Sequence, residues 1–268
     1  MAGPLCLTVC SAFLFATLPA EAASRAKPAP ACRLTDGESG LVSTVVDGDT
    51  LILDSGLSVR LAAIAAPKPR VGQSIASSAD AARSALAELV GGKSVRLRYY
   101  GSPDRDRYRR AVAEVFLADS NVWVEAELVR LGWARVVPAP EEGGCAATLF
   151  PAEQEARKDG RGLWSDSVAV RLADDAALLS ERDTYQIVQG RVTSVHQAGK
   201  LTYVNFGRDH KASLTVTLQT SDEKTFAGTG KSPAALVGQR VEVRGWIDDH
   251  GGPTIAVDHP DEIVILGR

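Results

Sequence analysis

Residues 45–53 read Val-Val-Asp-Gly-Asp-Thr-Leu-Ile-Leu, and this stretch decides the fold of the first half of the chain. β-branched and aliphatic residues fill Leu41–Val46 and Thr50–Leu53, with Asp47-Gly48-Asp49 between them. Two such runs around an Asp-Gly pair predict a β-hairpin with a tight turn. A third run, Leu57–Ile64, extends the hairpin into a three-stranded antiparallel meander.

A helix and further strands are predicted downstream of the meander. Ser77 or Ser78 can cap a helix that ends at Val90, before Gly91-Gly92. The pattern then predicts strands over Ser94–Tyr100 and Arg110–Leu117 and helices over Val122–Leu131 and Cys145–Lys158, the last interrupted by Pro151. Five strands with interspersed helices are typical of a small β-barrel.

The second half of the chain has its own strand pattern. Ser165–Thr184 is polar and charged, and we interpret residues 166–184 as a linker. Five strand-like runs follow: Tyr185–Val195, Leu201–Phe206, Ala212–Leu218, Arg240–Ile247 and Thr254–Leu266. They predict a second five-stranded β-barrel over residues 185–268.

Composition limits the functions that the chain can have. Of its 268 residues 45% are hydrophobic and 24% are charged, which is enough apolar material for buried cores. The formal net charge of −3 excludes a protein that holds nucleic acid by bulk positive charge. Any site for a polyanion must therefore be local.

The N-terminal residues predict export. An apolar stretch from Leu5 to Leu18 precedes Pro19-Ala20-Glu21-Ala22, a pattern that a signal peptidase cuts, so we interpret residues 1–22 as a signal peptide. The alternative is a buried N-terminal helix. The stretch is shorter than a membrane-spanning helix needs, so the mature form is expected to be periplasmic or secreted, without a membrane segment. Residues 23–40, rich in proline at their start, are interpreted as a linker.

Two cysteines, Cys32 and Cys145, remain after residues 1–22. A pair of cysteines in an oxidising compartment predicts a disulfide, and two separate buried thiols are the alternative. The four histidines all lie in the last third of the chain. A Cys-His or Ser-His nucleophile therefore has no base in the first domain.

Two carboxylates and a set of arginines carry the chemistry. Asp47 and Asp49 lie on one tight turn, where their oxygens can hold a hard cation. Arg60 and Arg110 can hold phosphate oxygens through paired hydrogen bonds. Together they predict a phosphodiester site. The alternative is ordinary hairpin chemistry with solvated arginines.

Five ordered motifs distinguish these two interpretations. They are V-V-D-G-D-T at Val45–Thr50, V-R-L-A-A-I-A-A-P at Val59–Pro67, D-R-Y-R-R at Asp106–Arg110, E-A-E-L-V-R-L-G-W-A at Glu125–Ala134 and G-L-W at Gly162–Trp164. In order and spacing, the stretch from Leu41 to Trp164 resembles the staphylococcal nuclease (thermonuclease) family. The resemblance implies an OB-type barrel with helices over residues 41–165, and metal-dependent hydrolysis of DNA or RNA with Ca²⁺ as cofactor.

The resemblance also implies the roles of individual residues. Asp49 matches a carboxylate ligand of the calcium ion, and Asp47 would lie beside the metal. Arg60 and Arg110 match the catalytic arginines that stabilise the charge on the pentacoordinate phosphorus. With Lys68 and Arg107 they form the expected phosphate-binding set, and the neighbouring Arg105 and Arg109 would add to a positive pocket.

The sequence departs from the family pattern at three site positions. Ala65 stands where the family has a second carboxylate ligand, and Lys68 stands where it has the glutamate that activates or orients water. Arg109 replaces a turn glycine, which predicts a disturbed aim for Arg110. Loss of a general base alone costs about two to four orders of magnitude in rate, so weak hydrolysis is expected.

The alternative is a non-catalytic scaffold, built on the nuclease fold, that binds nucleic acid or protein. The position of Lys68 separates the two hypotheses. An ammonium aimed at Asp49 would fill the cation position with an internal ion pair.

The C-terminal part resembles, more weakly, the OB-fold domains of nucleic-acid-binding proteins. Its candidate contacts to single strands are Tyr203, Phe206, Trp246, Arg208, Lys211 and Arg244. Acidic and basic residues balance from Tyr185 onward, which favours Phe206 and Trp246 as core residues and a structural or protein-contact role. The predicted fold class is therefore mainly β with α (α+β), with two five-stranded OB-type barrels in tandem.

Overall fold

The first domain is a closed β-barrel with three helices. The computed structural model describes residues 33–68, 76–100, 104–138, 145–165 and 169–267. The strands of this domain are β1 Leu34–Asp47, β2 Thr50–Leu53, β3 Ser58–Leu61, β4 Ile64–Ala65, β5 Ser94–Tyr100, β6 Asp104–Arg105, β7 Ala111–Leu117 and β8 Arg135–Val136. They form a sheet in the order β3-β2-β1-β5-β7-β6, and a parallel pairing of β3 with β7 closes it. The predicted five-stranded barrel is confirmed.

Three helices cover the barrel: α1 Ala76–Val90, α2 Val124–Arg130 and α3 Cys145–Lys158. On α1 the buried residues Ala82, Leu86 and Val90 face the barrel, as their helical spacing predicts. The predicted interruption of α3 at Pro151 is wrong, because this residue lies inside a continuous helix. Buried Leu149 before the proline and buried Ala156 after it anchor both halves of α3, so the missing amide of one proline does not end the helix.

The barrel begins earlier than the sequence predicts. Residues 34–41 pair with β5, from Leu34 opposite Tyr100 to Leu41 opposite Ser94. The prediction that all of residues 23–40 form a linker is therefore wrong from Leu34 onward. The sequence did not predict this part of the strand because its side chains are mostly exposed and polar, so they lack the apolar pattern of a strand.

The second domain consists of two sheets around a shared core. Its elements are β9 Arg171–Leu172, β10 Tyr185–Arg191, β11 Ser194–Ala198, β12 Leu201–Asn205, β13 Thr215–Gln219, α4 Glu223–Gly228, α5 Pro233–Leu236, β14 Arg240–Trp246, β15 Asp248–Asp249, β16 Pro253–Ala256 and β17 Ile263–Gly267. The sheet orders are β17-β14-β10-β9 and β11-β12-β13-β16-β15. These pairings form two sheets, so a closed second barrel stays a prediction.

The predicted linker contributes to this second core. β9 pairs with β10, and the buried side chains of Ala173 and Leu178 join the hydrophobic cluster of the C-terminal sheets. Residues 169–184 therefore belong to the second domain, and the prediction of a linker over 166–184 is wrong for them. Half of the side chains of residues 169–184 are polar or charged, and only a few apolar ones, such as Ala173 and Leu178, reach the core.

A buried ion-pair network joins the two domains. Arg244 on β14 donates to Glu153 Oε2 of α3 at 3.0 Å, to Glu242 Oε1 at 3.0 Å and to the carbonyl oxygen of Val136 at 3.1 Å. Arg157 of α3 donates to Glu242 at 3.0 Å. The side chains of Arg244, Glu153 and Glu242 are each at most 3% exposed. This network fixes the side of the barrel that carries β8 against the second domain.

Within the described residues, no helix has the length and apolar character needed to cross a membrane.

Candidate active site

The turn between β1 and β2 places two carboxylates on one short loop. Asp47 Oδ1 accepts a hydrogen bond from the backbone amide of Asp49 at 3.0 Å, which closes the turn. A Cβ on Gly48 would lie 2.7 Å from the Cβ atoms of both Ala66 and Ala82. Only glycine allows the turn to pack this closely against α1 and the segment after β4.

Asp49 is fully buried at the centre of the site. Its Oδ2 accepts from the backbone amide of Ala66 at 2.8 Å, and its Oδ1 accepts from the Thr50 hydroxyl at 3.2 Å. Burial by itself would raise the pKa of Asp49, but the positive charges of Arg60 and Lys68 outweigh it and lower the pKa. The Asp49 side chain is therefore ionised at neutral pH.

Lys68 bridges the two carboxylates. Its Nζ donates to Asp49 Oδ1 at 2.5 Å and to Asp47 Oδ2 at 2.7 Å. An ammonium carries three N–H donors, so one remains beyond these two bonds. The Lys68 ammonium is thus aimed at Asp49, the arrangement predicted to fill the cation position with an internal ion pair.

Arg60 on β3 reaches the same carboxylate from the barrel side. Its Nε lies 3.6 Å from Asp49 Oδ1. Its guanidinium also donates to the carbonyl oxygens of Leu61 and Ile64, the latter at 2.7 Å. These contacts fix the guanidinium plane over the turn.

Arg110 is held by the loop that precedes β7. Its Nε donates to Asp106 Oδ2 at 2.7 Å, and its Nη1 donates to the Thr50 hydroxyl at 3.2 Å. Burial would raise the pKa of Asp106, but hydrogen bonds from Arg110 and the loop backbone outweigh it and lower the pKa. Arg109 adopts φ +65°, the left-handed conformation that glycine favours. Arg109 thus takes the conformation that a turn glycine would take, and the disturbed aim of Arg110 stays a prediction.

Sequence comparisons with known proteins match the part of the chain that forms the barrel and its helices. A sequence model described as staphylococcal nuclease homologue matches residues 58–166. An uncharacterized endonuclease of Escherichia coli O157:H7 is 35% identical over 130 residues, which cover 48% of this chain and 78% of that protein. The chain belongs to the staphylococcal nuclease family. The thermonuclease of Staphylococcus intermedius is 30% identical over 132 residues, which cover 48% of this chain and 77% of that protein.

The calcium ion that the staphylococcal nuclease family implies does not fit the residues at this site. Ala65 lies where the family pattern has a second carboxylate, and it offers no side-chain oxygen. The ammonium of Lys68 lies between the two remaining carboxylates, where it would repel a divalent cation. Among the described residues, no group of three or more His, Cys, Asp or Glu side chains could hold a metal ion.

The predicted positive pocket is wrong in its charge balance. Three cations, Arg60, Lys68 and Arg110, face the three carboxylates of Asp47, Asp49 and Asp106. Arg107 also lines the site, with its guanidinium 4.9 Å from the ring centre of Tyr108. Arg105 instead pairs with Glu38 at 3.0 Å, outside the cleft, and the exposed Arg109 does not line it. The arginines that the family resemblance singles out thus lie in a site that is close to neutral.

The site opens into a cleft of about 990 Å³ that continues onto the second domain. Its far wall is formed by residues that the sequence analysis did not place there: Arg135, Arg171, Glu181, Asp183, Thr184, Tyr185, Gln186, Trp246, Ile247 and Asp248. Arg135 donates to the carbonyl oxygen of Tyr185 at 2.9 Å, and burial lowers its pKa to about 10. No local sequence signal could have found this wall, because only the docking of the two domains creates it.

Apart from Trp246, the remaining predicted residues that the structure describes do not line this cleft. Cys145 is buried at the start of α3, and Cys32 lies outside the described residues, so the disulfide stays a prediction. Arg244, a candidate contact to single strands, is buried in the interdomain network and cannot reach a ligand. Phe206 is 8% exposed, whereas Trp246 is 53% exposed. The core position expected for Trp246 is therefore wrong.

Proposed function

We propose that this protein binds the phosphodiester backbone of nucleic acid in the nuclease cleft, and that its metal-dependent hydrolysis there is weak. The observation that carries the proposal is the Lys68 ammonium between Asp47 and Asp49. It places one positive charge at the position where the family's catalysis needs a divalent cation. The third donor of the ammonium is available for a phosphate oxygen.

The arginines support binding. Arg110 uses three of its five N–H donors on Asp106 and Thr50, which leaves two for phosphate. Arg107 lies on the same side of the cleft, and no carboxylate of the described residues pairs with it. Phosphate contacts of this kind give affinity without sequence specificity.

The same geometry argues against efficient cleavage. Lys68 replaces the glutamate that would activate water, and loss of a general base costs about two to four orders of magnitude in rate. Ala65 removes a ligand as well. With both groups missing, this chain is proposed to retain phosphate recognition and to have lost most of the chemistry.

A gain-of-function experiment tests the proposal. We expect the double variant Ala65→Asp with Lys68→Glu to bind Ca²⁺ in calorimetric titrations and to gain Ca²⁺-dependent cleavage of single-stranded DNA by at least about a hundredfold. The unaltered protein should bind the same DNA equally with Ca²⁺ or with chelator. Lys200→Glu, which makes the same charge change as Lys68→Glu but on an exposed turn, is the matched control.

One result would overturn the proposal. It is Ca²⁺-dependent cleavage by the unaltered protein at a rate close to that of the double variant, abolished by Arg110→Ala, because the site would then work efficiently with its present residues. Absence of any binding to DNA or RNA would favour the alternative, a scaffold that contacts protein.

We also propose that the mature protein is exported and that Cys32 pairs with Cys145. The apolar stretch and cleavage pattern within residues 1–22 support the export. Mass spectrometry of the protein from periplasmic and culture fractions should find an N-terminus near residue 23. Non-reducing peptide mapping should join the two cysteines, and two free thiols would contradict the bridge.

A further inference from the structure

Trp246 exposes a large aromatic face inside the cleft. Its side chain lies at the end of β14 and is 53% exposed, although full burial of such a ring is strongly favourable. It lines the same cleft as Asp49, Arg60 and Lys68. The second domain therefore presents an aromatic surface to the part of the first domain where phosphate is proposed to bind.

The neighbouring strand holds this indole in place. The Tyr185 ring meets it edge to face, with ring centres 5.9 Å apart and planes at 75°. Tyr185 is buried, pairs with Trp246 across β10 and β14, and donates from its hydroxyl to the carbonyl oxygen of Val136 at 3.4 Å. The backbone amide of Ile247 also donates to the carbonyl oxygen of Thr184 at 2.9 Å. A ring fixed in this way loses little entropy when a ligand stacks on it.

The charges around Trp246 favour a base over a phosphate at this wall. Asp183 and Asp248 line the cleft beside the ring. Arg182 lies 3.8 Å from Asp183 and 4.0 Å from Asp248, and His250 lies 3.1 Å from Asp248, so this part of the wall is not positive. Phosphate is better placed near Arg60 and Arg110, across the cleft.

We propose that Trp246 is a stacking platform for an unpaired nucleobase whose phosphate is held by Arg110, Arg107 and Lys68. The inference rests on the proposed function and makes it more specific. A base can stack on an indole only when it is not paired within a duplex, so the ligand is single-stranded DNA or RNA. The aromatic face accepts any base, so the subsite gives strand preference without sequence preference.

Matched oligonucleotides test the subsite. The probes are a short single-stranded DNA, the same sequence as RNA, the DNA without its bases, and the DNA duplex. Trp246→Ala is expected to weaken binding of the base-containing single strands by about fivefold to a hundredfold and to leave the abasic strand unchanged. Trp246→Phe should recover most of the affinity, because it keeps an aromatic face.

Two controls separate stacking from damage to the fold. Tyr100→Ala removes an aromatic ring of similar exposure that does not line the cleft, and it should leave all affinities unchanged. Thermal unfolding of each variant shows whether the domains stay folded. Quenching of tryptophan fluorescence by the bound strand should disappear in Trp246→Phe while binding continues.

The outcomes distinguish the two proposals. If the unaltered protein binds abasic and base-containing strands equally, and Trp246→Ala changes neither, the stacking subsite is wrong and the phosphate site stands. If no strand binds, with or without bases, the proposed function itself is wrong. Preference for single strands that is lost in Trp246→Ala and retained in Trp246→Phe supports the subsite, and the DNA and RNA arms show which strand it prefers.

Discussion

Lys68 changes what two carboxylates on one turn can do. Asp47 and Asp49 would repel each other without a cation, and Asp49 is fully buried. Here the compensating charge is the Lys68 ammonium, whose Nζ lies 2.5 Å from Asp49 Oδ1 and 2.7 Å from Asp47 Oδ2. The site is thus stable without a metal, whereas a divalent cation would have to displace an ammonium that is already bonded.

Removal of this ammonium should cost stability in a way that depends on pH. We expect Lys68→Met to lower the free energy of unfolding by about 1–2 kcal/mol at pH 7, a value discounted because Lys68 is 39% exposed. The folded-state pKa of Asp49 is lowered, so its contribution is present above about pH 4 and is lost as the pH falls through that folded pKa.

Urea unfolding of both proteins between pH 3 and pH 8 measures this effect. The difference between Lys68→Met and the unaltered protein should shrink in acid as Asp49 becomes protonated. Lys200→Met, on an exposed turn, should change stability by less than about 0.5 kcal/mol at every pH. A difference that is constant across the range would contradict the role given to the Lys68–Asp49 pair.

The β1–β2 turn and α1 form one packed unit. Gly48 lets the turn approach Ala66 and Ala82, and this approach aims the Ala66 amide at Asp49 Oδ2. A solvent-exposed hairpin turn tolerates many residue types at its central position. A turn packed against a helix tolerates only a residue without a side chain there. Packing between elements, more than the turn itself, therefore fixes the geometry of the carboxylates.

Gly48→Ala should disturb this unit. The added methyl would lie 2.7 Å from two alanine side chains, so the turn or α1 must shift, and we expect about 1–3 kcal/mol of destabilisation. Affinity for nucleic acid should fall with it, because Asp49 and Lys68 move with the turn. Gly228→Ala is the control, since a Cβ there meets nothing within 4 Å. Equal unfolding midpoints for the two variants would show that the turn is free to move.

The two domains act together through the network centred on Arg244. Burial would lower the pKa of Arg244, but the nearby charge of Glu153 and the surrounding hydrogen bonds outweigh it and raise the pKa. The network sets one domain against the other, and this contact creates the cleft that holds Lys68 on one wall and Trp246 on the other. The buried network around Arg244 thus determines the shape of the cleft without lining it.

Arg244→Met should destabilise the protein strongly. The change leaves Glu153 and Glu242 buried with Arg157 as their remaining ion-pair partner among the described residues, and loss of one partner from a buried pair costs about 3–5 kcal/mol. Denaturant unfolding checks this value. Arg182→Met, which removes an arginine with a 58% exposed side chain from surface pairs at 3.8 and 4.0 Å, should cost less than about 1 kcal/mol. Similar costs for both variants would show that the network does not join the domains.

The amino-acid sequence by itself determined the barrel, its meander and the departures at positions 65 and 68. Hairpin turns, strand alternation and helix ends depend on neighbours in the chain, so Asp47-Gly48-Asp49 and the following strands could be predicted. The start of β1 at Leu34 could not, because that strand is set by pairing with β5 and carries mostly exposed side chains.

Only the tertiary structure decided what the site residues do together. Lys68 and Asp49 lie 19 positions apart in the sequence. The distance between their charged atoms depends on the path of the chain after β4, which carries Lys68 back to the β1–β2 turn. Trp246 and Arg244 are two residues apart on one strand, yet one faces the cleft and the other lies buried between the domains. Which neighbours a side chain meets depends on contacts between distant segments, and no local pattern of residues encodes those contacts.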